Sequence, residues 1–256
     1  MDSKISNRKV YEKFWEPSKV YFNTTGPGNR WIFNLIDEII DETDRESIKN
    51  IIDIGCGQGA KTYFLKTRFP SSNVLGVDLA QSGIDVANKN YEEVDFKCLE
   101  ADDQTIWNMT YDLISCFEVL EHLDDWRFFL DKIIANSSKY ILLSFPVGRM
   151  RSYELDIGHV RNFKVGEVEK YLGNNSYKSV KIYYAGFPFF NPIIRNAAQL
   201  VYSFDISKKM FNEKIQEESK PTLISKLYSN VFYFLFKYCS TKQKYGEQFL
   251  GLFEKN

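Results

Sequence analysis

Six short runs of apolar, mostly β-branched residues recur between residues 50 and 186, with helix-like segments between them. The runs are "NIIDIG" (50–55), "NVLGVDL" (73–79), "VDFKCL" (94–99), "YDLISCF" (111–117), "KYILLSF" (139–145) and "YKSVKIYYA" (177–185). Helical character falls at 59–69, 81–90, 123–136 and 164–172. Strand and helix in alternation build a mainly parallel sheet covered on both faces. Residues 1–49 precede this pattern with an apolar helix of their own, "RWIFNLIDEII". The stretch from Gly186 to about Lys244 interrupts it with mixed aromatic and charged helix-like sequence, and "YGEQFLGLFEK" (245–255) reads as a last strand. The expected organisation is a single α/β domain over 1–256. Its core spans 50–186 and 245–255, with an N-terminal helical cap at 1–49 and an inserted helical cap at 187–244.

The first strand-to-helix connection, "IIDIGCGQGA" (51–60), places Gly55, Gly57 and Gly59 in one turn. Without Cβ atoms there, a ligand can lie against main chain and a helix N-terminus. The spacing Gly55-x-Gly57-x-x-Ala60 also satisfies the dinucleotide fingerprint, so the glycines alone leave two ligand families open. Asp53 discriminates between them. A carboxylate at the strand end would crowd a pyrophosphate but suits a ligand with an ammonium and a sulfonium, which favours S-adenosylmethionine. Asp78, about twenty residues further on, is placed to accept from both ribose hydroxyls, with Leu79 against the adenine. Asp102 in "LEADD" is placed to accept from the adenine amino group, and "SCFEVLEHL", which contains Cys116, supplies a floor for the methionine part. Cys56 and Cys116 read as small packing residues of this site, since a methyl group leaving a sulfonium needs no covalent enzyme intermediate. Taken singly, the glycines could mark a tight turn and Asp78 a helix cap. Their joint order carries the reading.

"DIGCGQG", "GVDLA", "LEADD" and "CFEVLEHL", in this order and spacing, resemble the Rossmann-like S-adenosylmethionine-dependent methyltransferases over roughly residues 30–186 plus the last strand. The resemblance implies a seven-stranded sheet of order 3-2-1-4-5-7-6 with the last strand antiparallel and a helical insertion before it. It also implies a cofactor site drawn from Asp53, Gly55, Cys56, Gly57, Gly59, Asp78, Leu79, Asp102 and Cys116.

The chain has two histidines, His122 and His159, each following a strand at the carboxyl edge of the expected sheet. Glu118, Glu121 and His122 are spaced i, i+3 and i+4, so a helical turn starting at Glu118 would put all three on one face. Two carboxylates and an imidazole suit Mg or Mn, with His159 completing the set. This E-x-x-E-H with a later His resembles two methyltransferase groups, one acting on ubiquinone precursors and one on the terminal ribose 2′-hydroxyl of small RNAs. In both, the resemblance implies a metal that binds the acceptor oxygen. "GHVRNF" is similar to the "GTH" segment of the quinone group, with Ile157 in place of its threonine. Without a metal, His159 or His122 becomes the candidate general base.

A formal charge of -1 gives no global pull toward nucleic acid. The accessory regions of the RNA group are also missing, and both facts disfavour an RNA acceptor. Four cysteines without a CxxC pair, and no charged-then-apolar leader, lead to the expectation of a reducing, cytoplasmic setting. The insertion, with "GFPFFNPIIRN" and "SKLYSNVFYFLFKYC", reads as a helical cap or homodimer surface, with peripheral membrane docking as the alternative. Tyr11, Phe14, Trp15 and Arg30 are expected to close the pocket from the other side. By analogy with sugar and surface-polysaccharide pathways, the expected reaction is methylation of a hydroxyl on a small metabolite, sugar or glycan precursor. The competing readings are a non-catalytic cofactor-binding or membrane-associated protein and a nucleotide-dependent oxidoreductase; Asp53 and "EVLEHL" disfavour the latter.

Overall fold

The computed structural model describes Tyr11, Glu12, Trp15 and residues 26–203 and 223–256. Seven strands, β1 (Asn50–Ile54), β2 (Asn73–Asp78), β3 (Asp95–Cys98), β4 (Tyr111–Phe117), β5 (Ser137–Pro146), β6 (Tyr177–Ala185) and β7 (Gln248–Lys255), form one sheet. Their order is 3-2-1-4-5-7-6. The first five pair in parallel, and β7 runs antiparallel to both β5 and β6. The chain therefore winds outward from β1 to β3 and returns to β4. This reversal opens a crevice at the carboxyl ends of β1 and β4, where ligands bind in sheets of this kind.

The strands alternate their side chains between two cores. Ile51, Leu113 and Phe117 enter one, and Ile52, Ile54, Ile114 and Cys116 enter the other, as the two-residue period of a strand requires. The first core is covered by α1 (Pro27–Ile40), α2 (Ala60–Arg68) and α3 (Gln81–Asn90). In α1 the residues Trp31, Ile32, Leu35, Ile36, Ile39 and Ile40 form a buried stripe at helical spacing. The second core is covered by α4 (Trp126–Asn136) and α6 (Glu167–Asn174), with the short α5 (Ser152–Asp156) lying between β5 and α6 in the chain. The inserted stretch contributes α7 (Arg195–Ser203) and α8 (Leu223–Cys239); α8 packs on α1 and adds Phe236 to the first core. No described helix is long and apolar enough to cross a membrane.

Three elements start three residues later than the sequence expectation, each for a local reason. β7 starts at Gln248 because Tyr245 is in the left-handed region (φ 66°) and Gly246 backs onto β6, where a Cβ would lie 1.9 Å from the Ala185 carbonyl oxygen. α4 starts at Trp126, capped by Asp125, whose side chain accepts from Phe128 N. α6 starts at Glu167, behind Gly166 at φ 81°.

Candidate active site

A cavity of about 510 Å³ lies over the carboxyl ends of β1, β2 and β4. Of the residues expected to hold the cofactor, Asp53, Gly55, Cys56, Asp78 and Leu79 line it, joined by Leu99, Ala101 and Phe117. Gly57 and Gly59 do not, and their glycine character has another cause. A Cβ on Gly57 would lie 2.6 Å from the Trp15 indole, and one on Gly59 would lie 2.7 Å from Phe96 and 2.8 Å from Ala87. Protein packing, as well as ligand approach, keeps this turn bare. Cys116 is fully buried in the second core, away from the cavity. Burial pushes both the Cys56 and Cys116 thiols up, so neither supplies a thiolate. Asp102 is exposed and lies outside the cavity lining.

Asp53 has a different task from the one expected of a free carboxylate. Its Oδ2 accepts from Thr62 Oγ1 at 2.6 Å and its Oδ1 from Ser115 Oγ at 2.8 Å, which ties β1 to α2 and to β4. Burial pushes its pKa up to about 6, against the pull of the two hydroxyls and of Lys61. Because the folded value exceeds the ordinary 3.8, the stabilising contribution is complete at acid pH and is lost as pH rises through about 6. Between about pH 4 and pH 7, wild type is expected to lose on the order of 3 kcal/mol relative to Asp53→Asn, which does not titrate. Urea denaturation of both proteins across that range checks this, and a constant difference would contradict it.

Asp78 is nearly buried at the end of β2. Its Oδ2 accepts from Gly57 N at 2.8 Å and its Oδ1 from Ala80 N at 2.9 Å. Each oxygen keeps a second lone pair, so the carboxylate is fixed in orientation yet still able to accept from two hydroxyls. Tyr11, Glu12 and Trp15 close this end. The Glu12 carboxylate accepts from Gln81 N and Ser82 N at the start of α3, and Gln58 Nε2 donates to the Trp15 carbonyl. Tyr11 and Trp15 line the cavity; Phe14 lies outside the described residues. Arg30 turns the other way, donating to Asn230 and lying over the Tyr233 ring at 4.1 Å, and does not line the cavity.

At the other end of the cavity, the expected helical face of Glu118, Glu121 and His122 is not formed. Glu118 has φ 59°, and only Leu120–His122 form a turn of 3-10 helix. The left-handed kink sends Glu118 to Ser144 Oγ and Gln248 Nε2, each donating to its Oε1 at 2.7 Å. The group that does converge is Glu121, His122 and His159, with one ligand atom from each within 4.8 Å of the others. Glu121 Oε1 stands 3.8 Å from His122 Nε2 and 4.0 Å from His159 Nε2, and the two imidazoles meet edge to face at 4.6 Å. Neither Glu121 oxygen has a hydrogen-bond partner, nor has Nδ1 of either histidine. Burial, then the neighbouring Glu118, pushes the Glu121 carboxyl well up. Burial, then His159, pulls His122 down to about 4, and burial also lowers His159. Burial thus favours the neutral form of each of the three side chains. The Tyr11 ring packs edge-on to His122 at 5.3 Å, and its buried hydroxyl also has no partner.

Sequence reading missed the wall beside His159. Tyr153, Glu154, Arg195 and Gln248 also line the cavity. Arg195, at the start of α7, pairs with Glu154 and, at 2.8 Å, with Glu247; Arg151 joins Glu247 at 2.7 Å and Asn196 at 2.9 Å. An arginine inside the apolar run "NPIIRNAAQL" was the available signal, because a charge in such a run demands a buried counterion.

The sheet order, the glycine turn followed by Asp78, and a match of residues 52–136 to the family model described as "Methyltransferase domain" define the class. Over these residues the chain carries a methyltransferase domain, on the Rossmann-like fold of the S-adenosylmethionine-dependent methyltransferases. Among curated proteins it is similar to a malonyl-[acyl-carrier protein] O-methyltransferase of Acetivibrio thermocellus, 26% identical over 167 residues, which is 63% of this chain and 54% of that protein. It is also similar to a ubiquinone biosynthesis O-methyltransferase of Nitrosomonas europaea, 31% identical over 117 residues, 44% of this chain and 47% of that protein. The matches thus span about half the length of these two relatives. Among solved structures, the plantazolicin methyltransferase BpumL, in complex with a pentazolic desmethylPZN analog and SAH, shares the fold. Its TM-score is 0.58 at 16% identity, covering 99% of this chain and 97% of that one.

Proposed function

We propose that the chain transfers the methyl group of S-adenosylmethionine to an oxygen, the hydroxyl of a small metabolite, sugar or polysaccharide precursor, with a divalent cation at Glu121, His122 and His159. The observation that carries this reading is the convergence of the buried Glu121, neither oxygen of which has a hydrogen-bond partner, with the half-buried His122 and His159 in the same cavity as Asp78. Buried polar atoms without partners are costly, and a carboxylate with two imidazoles is a donor set for a divalent ion. The residues therefore fit such an ion. Mg or Mn held there would lower the pKa of an acceptor hydroxyl.

The chain's own residues do the rest. Asp78 orients the ribose, the floor of Phe117 and Val119 supports the methionine part, and Tyr11 and Trp15 exclude water from the path of the methyl group. His159 and His122, both held below the usual imidazole range by burial, each offer one lone pair, which would bind the cation when it is present and take the hydroxyl proton when it is not. In a metal-free enzyme either would act as general base. Both curated relatives named above are O-methyltransferases, which supports oxygen as the acceptor atom. The quinone-precursor reading keeps the same site; the RNA reading is disfavoured by the formal charge of -1.

The test is a panel of sugars, sugar phosphates and phenols, following S-adenosylhomocysteine release with EDTA or with added Mg or Mn. Turnover on a hydroxyl acceptor that chelation abolishes is the expected result. Equal turnover in EDTA would remove the cation and leave the histidines as acid-base groups. Cofactor binding with no turnover on any acceptor would support a non-catalytic protein.

A further inference from the structure

Helix α8 has two faces. The inner one carries Phe232, Tyr233 and Phe236, and Phe236 meets Phe190 at 5.3 Å and Trp31 at 6.1 Å. The outer one carries Leu227, Tyr228, Val231, Phe234 and Tyr238, which are 65%, 63%, 48%, 55% and 65% exposed. Leu227, Val231, Phe234 and Tyr238 follow one another at spacings of four, three and four, a single helical stripe. Scattered apolar residues on a surface are ordinary, but a continuous stripe marks an interaction face.

Charge decides what meets it. The helix, residues 223–239, contains Lys226 and Lys237 and no aspartate or glutamate. The Lys237 ammonium lies 5.6 Å and 5.4 Å from the Tyr233 and Tyr238 rings, its stem running along the aromatic surface. A second copy of this chain would bring the same two cations to the face and no carboxylate to pair with them. An anionic lipid surface supplies the missing charge to the lysines and an apolar boundary to leucine, valine and phenylalanine. Tyrosines, with an apolar ring and a polar tip, suit the headgroup level. The helix has 17 residues, and no described helix is long and apolar enough to cross a bilayer.

We propose that the outer face of α8 docks the protein, lying flat, on an anionic lipid surface. The docking face is also close to the site. Phe236 on its inner side touches Phe190, and Phe190 lines the cavity, so one aromatic layer separates the lipid-facing helix from the acceptor space.

The experiment is co-sedimentation of the full chain with phosphatidylcholine vesicles, with and without phosphatidylglycerol. Binding to the anionic vesicles should be at least about tenfold tighter than to neutral ones and should weaken with salt. Phe234→Glu and the pair Val231→Glu with Leu227→Glu should each reduce it by at least about tenfold. The affinity for S-adenosylhomocysteine should stay unchanged, because these side chains do not line the cavity. That binding also shows that the variants are folded, and it separates failure of the docking inference from failure of the methyltransferase reading. Absence of vesicle binding, or equal binding by wild type and variants, would overturn the proposal. So would a dimer in sedimentation velocity that Phe234→Glu dissolves, since the face would then belong to a second copy.

Discussion

Asp78→Ala is expected to weaken S-adenosylhomocysteine binding by roughly 30-fold or more, because two hydrogen bonds to a charged acceptor, each worth about 1–3 kcal/mol, are lost together. The alanine also frees Gly57 N and Ala80 N, which the carboxylate holds at 2.8 Å and 2.9 Å, so the turn around the cofactor loses its anchor. Asp78→Asn keeps the shape and some acceptor capacity and should fall between the two. Calorimetry with the three proteins, alongside their melting temperatures, separates lost ligand contacts from lost structure. An alanine variant that stays folded and binds as tightly as wild type would remove Asp78 from the site. Tight binding of NAD would overturn the cofactor assignment.

Glu121 should show opposite effects on cation binding and on stability. Removing a ligand from a three-residue set is expected to reduce Mn affinity by on the order of 100-fold or more, measured by the loss of free-ion EPR signal on titration. Glu121→Met and His159→Ala should both do this while S-adenosylhomocysteine affinity holds. In the cation-free protein, however, the Glu121 carboxyl is buried with neither oxygen partnered, which costs about 1–3 kcal/mol. Glu121→Met should therefore raise the melting temperature of the chelated protein by a few degrees. A carboxylate kept for structure would do the reverse. Destabilisation by Glu121→Met, with unchanged Mn binding, would sink the cation site.

Periodicity made the sheet legible. β4 and β6 fall on the residues expected, because their apolar runs are bounded by clear changes of character at Tyr111, Phe117, Tyr177 and Ala185. The strand order was legible only through the family resemblance, since pairing depends on contacts far apart in the chain. At the site, residue types were more readable than their geometry. The i, i+3, i+4 spacing from Glu118 suggested one helical face, but the backbone turns left-handed at that residue and separates it from Glu121 and His122. Asp53 signalled a charge at the strand end, and only the structure shows Thr62 and Ser115 occupying both of its oxygens. Asp102 was expected beside the adenine amino group after the third strand, and in the structure its side chain is exposed and outside the cavity lining. Glu154 and Arg195 gave no motif, because their partners are distant in sequence and meet only when α7 folds onto the core.

The charges around Arg151 and Arg195 bear on how substrate range is inherited. Arg195 belongs to the insertion, Arg151 and Glu154 to the segment leading to His159, and Glu247 to the approach to β7, so every ion finds its counterion on another stretch of chain. A chimaera that exchanged residues 187–244 alone would leave Glu154 without its guanidinium, and an uncompensated buried charge costs about 3–5 kcal/mol. The cap and the histidine loop are thus interlocked. A new acceptor preference would travel between such proteins as a matched set of segments.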